Sequence, residues 1–317
     1  MRILVTGADG FVGTWLIPRL VRDGHDVVAA VRPDRPLFTL GAPPPWPTAV
    51  ETIPFELLDP VSLRDGLSVG FDAVVHLAAV ASGGDARRDP KEAWEINATG
   101  TALLAGALGR QCSAGEGDPV LLVVSTAEVY GKGSGVPRIE SDPTEPCSSY
   151  AESKLAGETA ALDVWRQIGL RVVVARAFPH TGKGQDERFV VPAFARRLLE
   201  AKRGGQREVS VGNLDPVREF LHVSDVVEAY ARLLELGVAG EAYNVGGGEA
   251  LTLSDLFHRL ARIADHPAEP TTDPQLVRPA DILHLVGDAT KLRELTGWEP
   301  KVSLDEALTE VVHAQAH

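Results

Sequence analysis

The sequence predicts an α/β fold: a doubly wound parallel sheet with a second, smaller α/β lobe. Short continuous apolar runs at 2–6, 26–31, 72–79 and 119–125 read as buried strands. Segments of helical period separate them, the alternation that strand–helix–strand crossovers require. The first run also leads straight into Gly7-Ala8-Asp9-Gly10-Phe11-Val12-Gly13 and then into a helix. A glycine-rich turn between the first strand and the first helix is how many such sheets begin.

Composition narrows the class. At 317 residues the chain can bury a large core, and 44% hydrophobic with 24% charged residues is the balance of a soluble globular protein. A formal net charge of -13 argues against a nucleic-acid surface, which needs clustered Lys and Arg. Two cysteines, Cys112 and Cys147, make no disulfide or metal framework, so a reducing cytoplasm is expected, and no metal site. Ile3-Leu4-Val5 is too short for a signal peptide, and no stretch is long enough to span a bilayer.

In chain order, Trp15, Leu16, Leu20 and Val21 form the apolar stripe of the first helix, which Gly24 ends. The glycines allow a tight turn, close approach of the backbone to a pyrophosphate, and tight helix–strand packing. The helix start adds free N–H groups and a positive dipole end. Gly7, Gly10, Phe11, Val12 and Gly13 are therefore expected to cradle a dinucleotide.

The strand at 26–31 ends in Arg32, near where an NAD site places an acid for the ribose hydroxyls. Arg32 suits a 2′-phosphate, so NADP(H) is preferred and NAD(H) possible; the alternative is a solvated loop arginine. The proline-crowded stretch 33–54 is read as a connection without a helix. A short strand ends near Phe55. Asp59 either accepts from the adenine amino group or caps the helix beginning at Pro60.

The strand at 72–79 ends in Leu77, Ala78 and Ala79, small enough for a cofactor to approach, or simply for close strand–helix packing. A long helix is expected over 92–108, with Asn97 an unusual interior residue that is solvated or bonds across a kink. The strand at 119–125 delivers Thr126 and Glu128 to the sheet's carboxyl end, pointing the same way if the chain stays extended. Tyr150 and Lys154, four residues apart, share one helix face. A phenol titrates at about 10, and an ammonium beside it is expected to pull it toward neutrality for proton transfer to or from a carbinol oxygen.

These segments, 7–13, 76–79, 125–131 and Tyr150 with Lys154, in that order and spacing, resemble the extended short-chain dehydrogenase/reductase family acting on nucleotide sugars. The likeness continues through 176–185, Phe189-Val190-Val191-Pro192, Arg218-Glu219-Phe220, Tyr243-Asn244-Val245-Gly246, Arg278-Pro279-Ala280-Asp281 and Gly297-Trp298. It is similar to GDP-mannose 4,6-dehydratases and GDP-4-keto-6-deoxymannose reductases, and looks more like the reductases.

The resemblance implies a catalytic Thr126, Tyr150 and Lys154, with Tyr150 as proton donor and Lys154 also on the nicotinamide ribose. Glu128 matches the base of the dehydratases. Phe178 and His180 fall in the segment beside the nicotinamide. Pro179, Val190, Arg218 and Arg278 fall at substrate positions, the two arginines as clamps for a diphosphate. Pro179 stands where the family usually has Asn, so one hydrogen-bonding side chain is missing.

The expected activity is NADPH-dependent reduction of a nucleotide-linked 4-keto-6-deoxyhexose. The alternatives are a 4,6-dehydratase or 4-epimerase with internally recycled NAD(P), and a non-catalytic dinucleotide sensor. The expected partners are a nucleotide-diphosphate sugar and, from the resemblance, a second copy of the chain in a homodimer. The division expected is 1–177 with 220–248 for the dinucleotide, and 178–219 with 249–317 for the sugar. Helices are expected over 189–202, 224–236, 254–264 and 304–313, with Ser254 and Ser303 as N-caps.

Overall fold

The computed structural model describes residues 1–33, 46–133, 135–277 and 282–316. The chain opens with β1 (Arg2–Thr6), α1 (Phe11–Arg22), β2 (Asp26–Val31), β3 (Glu51–Pro54), α2 (Pro60–Leu67) and β4 (Ala73–His76). There follow α3 (Gly83–Arg88), α4 (Pro90–Trp94), a π-helical turn Glu95–Gly100, α5 (Thr101–Ala114) and β5 (Val120–Thr126). A 3-10 turn Ala127–Tyr130 leads toward α6 (Ser149–Ile168), β6 (Arg171–Ala177) and β7 (His180–Thr181). Next come α7 (Val190–Gly204), β8 (Glu208–Val211), β9 (Val217–Arg218), β10 (Leu221–His222), α8 (Val223–Leu236) and β11 (Ala242–Val245). The remainder is β12 (Leu251–Thr252), α9 (Leu253–Ile263), β13 (Glu269–Thr272), β14 (His284–Leu285), α10 (Thr290–Thr296) and α11 (Leu304–Ala316).

Seven strands form one sheet in the order β3-β2-β1-β4-β5-β6-β11, every pair parallel. Successive residues of β1 point to opposite faces, as the pleat demands. Ile3 and Val5 enter the core shared with α1 and α8, while Leu4 enters the core shared with α2 and α5. The strand order reverses between β1 and β4, and in such sheets a ligand crevice opens at the carboxyl ends beside that point. A third core gathers Phe194 and Leu198 of α7, Phe257 and Leu260 of α9, and Leu308 and Val311 of α11.

Some boundaries differ from the sequence expectations, each for a local reason. The long helix starts at Pro90 under an Asp89 cap, and a π turn interrupts it at Asn97. The chain leaves the strand after Thr126 and coils into the 3-10 turn, so Thr126 and Glu128 do not stay extended. Thr252, not Ser254, caps α9, in a reciprocal pair with Asp255; Ser303 does cap α11. The tenth helix and Trp298, expected with the smaller lobe, pack on α8 and β11, with Leu292 and Trp298 fully buried in the sheet's own core.

Candidate active site

The glycine turn is built by close contact. Gly7 has φ 64°, and a Cβ there would lie 2.7 Å from the Ala78 backbone. The first and fourth strand ends therefore touch through Gly7, leaving Leu77, Ala78 and Ala79 half-buried just past β4. At Gly13 a Cβ would meet the Ala8 carbonyl, so glycine lets α1 pack onto its own entry loop. The α1 N-cap is Gly10, with no side-chain cap, which suits a phosphate binding at that helix end. Phe11, the first residue of the helix, lies parallel to His180, their centroids 6.2 Å apart. The His180 ring pairs through Nδ1 with the Phe178 carbonyl at 2.9 Å, and burial lowers its pKa. Arg32 follows β2, half-buried.

Three expected cofactor or substrate residues need correction or restriction. Phe178 is 1% exposed and packs against Tyr130 and Gly287, while its N–H donates to the Val245 carbonyl and its carbonyl pairs with His180. Asp59 spends one carboxylate oxygen on the Val61 N–H at 2.9 Å as the cap of α2. Arg278 lies outside the described residues.

The residues expected to transfer the proton sit at the mouth of β5. Thr126 Oγ1 accepts from the Glu128 N–H at 3.3 Å and also hydrogen-bonds the Tyr150 side chain. Tyr150 lies in the first turn of α6, entered through a Ser148 cap that accepts from the Ala151 N–H at 3.2 Å. Lys154, 8% exposed, donates from Nζ to the Val124 carbonyl of β5 at 2.6 Å. Burial raises the Tyr150 pKa and the Glu128 charge adds to the rise, while the Thr126 hydrogen bond opposes it. The expected pull of Lys154 on the phenol is absent here, because the ammonium is turned to the strand carbonyl. Burial lowers Lys154 itself to about 8, against a rise from Glu158.

Residues given no part in the site by the sequence alone hold this arrangement. In the π turn, Asn97 accepts from the Val80 N–H at 2.8 Å and donates to the Val80 carbonyl and to Ser153 Oγ. Gly157 of α6 makes room, since a Cβ there would lie 2.3 Å from the Asn97 carbonyl. His76 is buried between Thr6 (2.8 Å) and Thr101 (3.0 Å). Thr101 gives its own proton to the Asn97 carbonyl, so His76 Nε2 carries the ring proton and Nδ1 accepts from Thr6. Burial, with Lys154 nearby, pulls His76 down to about 3, so it is a neutral strut. The sequence signal was there: an Asn inside a helix and a His closing a strand.

On the smaller-lobe side, Arg218 of β9 is half-buried and donates to the Val217 carbonyl at 2.9 Å. Val190 begins α7, and Pro179 offers its carbonyl to the Leu221 N–H at 3.0 Å. Next to Arg218, Glu219 is 1% exposed and accepts from the N–H groups of Gly247, Gly248 and Gly287. Among the described residues no cluster of His, Cys, Asp and Glu could hold a metal ion, and no helix is long and apolar enough to cross a membrane.

The GDP-mannose 4,6 dehydratase family model matches residues 4–311. The chain is 34% identical over 314 residues to the GDP-6-deoxy-D-mannose reductase of Pseudomonas aeruginosa, covering 98% of this chain and 96% of that one. The structure of RMD from Pseudomonas aeruginosa complexed with NADPH superposes with a TM-score of 0.82, covering 99% and 98% of the two chains at 34% identity. The Thermus thermophilus UDP-glucose 4-epimerase in complex with NAD superposes at 0.85, with 99% of each chain covered and 30% identity. With the glycine cradle, the Thr126–Tyr150–Lys154 group and these likenesses together, the chain belongs to the GDP-mannose 4,6 dehydratase family, in the nucleotide-sugar branch of the extended short-chain dehydrogenases/reductases.

Proposed function

We propose that the protein is an NADPH-dependent reductase of a nucleotide-linked 4-keto-6-deoxyhexose, with the GDP-linked sugar as the first candidate. The observation that carries the reading is the grouping of Thr126, Tyr150 and Lys154 at the end of β5, in a chain 34% identical along its length to a GDP-6-deoxy-D-mannose reductase. The bound reduced nicotinamide supplies the hydride to C4 of the sugar. Tyr150 gives its phenolic proton to the carbonyl oxygen, and Thr126 orients that oxygen through its hydroxyl. Lys154, once its ammonium turns from Val124 to the ribose, stabilises the phenolate left behind. Burial makes the phenol reluctant to ionise, so the cationic Lys154 matters most at that moment.

Arg32 supports the NADP preference, and the uncapped start of α1 suits the pyrophosphate. Residues 1–177 with 220–248 form the dinucleotide lobe in this reading. Those at 178–219 and 249–317, apart from α10 and Trp298, form the sugar lobe, with Val190 and Arg218 lining the cleft between them. A homodimer through α4 and α6 is supported by Trp94, 49% exposed beside Leu155, Ala156 and Ala160 of α6. Free Cys112 and Cys147 fit a reducing cytoplasm.

Glu128 favours a second reading. Its charge reaches Tyr150, as that of a dehydratase base would, so a 4,6-dehydratase or a 4-epimerase with recycled NAD(P) is the alternative. A non-catalytic sensor would have no use for a proton relay. Mixing the protein with NADPH and GDP-4-keto-6-deoxymannose separates these readings. Loss of NADPH absorbance equimolar with product supports the reductase. Constant absorbance with this sugar, but conversion of the parent GDP-mannose with no net change in NAD(P)H, supports the second reading, and binding with neither sugar converted supports the sensor.

A further inference from the structure

Beneath Tyr150 and Lys154, α6 buries a carboxylate that the chemistry above does not use. Glu158 is 2% exposed and lies one turn past Lys154 on the same helix face. Both of its oxygens meet Arg176 of β6, itself 7% exposed. Arg176 also donates to the Tyr130 hydroxyl at 3.0 Å and to the Glu140 carbonyl at 3.3 Å, with its guanidinium 5.0 Å from the Tyr130 ring centroid. Tyr130 closes the turn that carries Glu128, and its hydroxyl donates to Asn244 at 2.7 Å. A buried ion pair adds little stability over an apolar pair of the same size. Its place between the catalytic helix and the catalytic turn is what gives it a use.

We propose that Glu158 is a positioning residue: its carboxylate, held by Arg176, which Tyr130 in turn braces, keeps the Lys154 ammonium charged and in place at β5. This rests on the reading of Tyr150 and Lys154 as the proton-transfer pair. Lys154 is buried deeply enough to be pulled down to about 8, and Glu158 is the group that opposes the fall. The other groups facing this region leave that task to it. His76 at the end of β4 is a neutral strut, and Tyr150 on the same helix as Lys154 stays protonated. Glu128 on the 3-10 turn acts on Tyr150, and Arg176 from β6 is bound to Glu158 itself. The strand β5 presents a backbone carbonyl, that of Val124.

The test is the titration of Lys154, followed by NMR of the lysine ε-carbons in the labelled, ligand-free full chain, with Lys154→Met to assign the signal. The Glu158→Gln variant should titrate lower by about one pH unit, the loss expected for one nearby charge. Glu158→Asp keeps the charge and should stay near the wild-type midpoint, even if its melting temperature falls. Where Glu158→Gln does not fold, the double variant Glu158→Gln/Arg176→Gln decides, because it leaves no buried charge unpaired. Glu158, not Arg176, is the group that raises Lys154, so the midpoint should fall there too. An unmoved midpoint in the folded variants that lack the carboxylate would overturn the proposal. Activity separates the two ideas: a Tyr150→Phe variant that still turns over removes the catalytic reading, whereas an unmoved Lys154 titration removes only the role of Glu158.

Discussion

Two glycine clusters in this molecule solve opposite problems. Around Gly7, Gly10 and Gly13 the glycines bring backbone against backbone, and the helix start they create has no side-chain cap. Around Gly246, Gly247, Gly248 and Gly287 the glycines make room for side chains, and the Glu219 carboxylate takes three of the N–H groups. Cβ atoms at Gly246 and Gly287 would run into Glu219 and Phe178. The first cluster closes its own turn with the Gly10 N–H on the Gly7 carbonyl at 3.0 Å and brings no side chain to the helix start that follows. The second answers its N–H groups with a carboxyl of its own. A glycine run is thus a phosphate site only where the protein leaves the N–H groups unanswered.

The largest effect should come from filling the first cluster. Gly7→Ala puts a Cβ 2.7 Å from Ala78 at a positive φ and should destabilise the fold by ~3 kcal/mol, read as a lower melting temperature with lost NADPH binding. A near-normal melting temperature would show that the two strand ends can separate freely.

The second cluster is sharpened by pH. Burial raises Glu219 from an ordinary 4.5 to about 7, against the pull of its three N–H donors. The folded state therefore binds a proton that the unfolded state releases. The group's contribution is full below about 4.5 and is lost as pH rises through 7, a loss of ~3 kcal/mol. Denaturant titrations from pH 5 to 8 should show Glu219→Gln gaining stability on the wild type as pH rises; parallel curves would contradict the assignment.

Smaller effects separate ligand contacts from local structure on the first cluster's side. Arg32→Ala should weaken NADPH about tenfold, ~1.5 kcal/mol, and leave NADH nearly unchanged. Equal weakening in fluorescence titrations would remove the case for the phosphate. Asp59→Ala should cost ~1 kcal/mol of stability as a lost cap without changing cofactor affinity, and an affinity loss would restore its contact with adenine.

The same contrast explains what could be read from the sequence. Strands β1, β2 and β5 were legible because unbroken apolar runs belong to strands buried on both faces. The glycine turn and the shared helix of Tyr150 and Lys154 were legible because both are local, but the turn of the Lys154 ammonium to the Val124 carbonyl, 30 residues earlier, was not. Asn97 was noticed but not its π turn, which exists because Val80 and Ser153, distant in sequence, converge on one amide. The burial of Phe178 was not legible because it depends on Gly287, 109 residues later. The partners of Glu219 and Glu158 are likewise non-local, and periodicity carries no trace of them. Thr252 rather than Ser254 as a cap was a matter of two residues, the usual uncertainty of a helix start.

The most direct measurement of the central claim is NADPH oxidation by the Tyr150→Phe variant with a nucleotide-linked 4-keto-6-deoxyhexose, alongside its NADPH affinity. The account predicts a rate loss of about 10³-fold with affinity within a factor of two, because one hydroxyl is removed and the cradle at Gly7 is untouched. Turnover at the wild-type rate would contradict it.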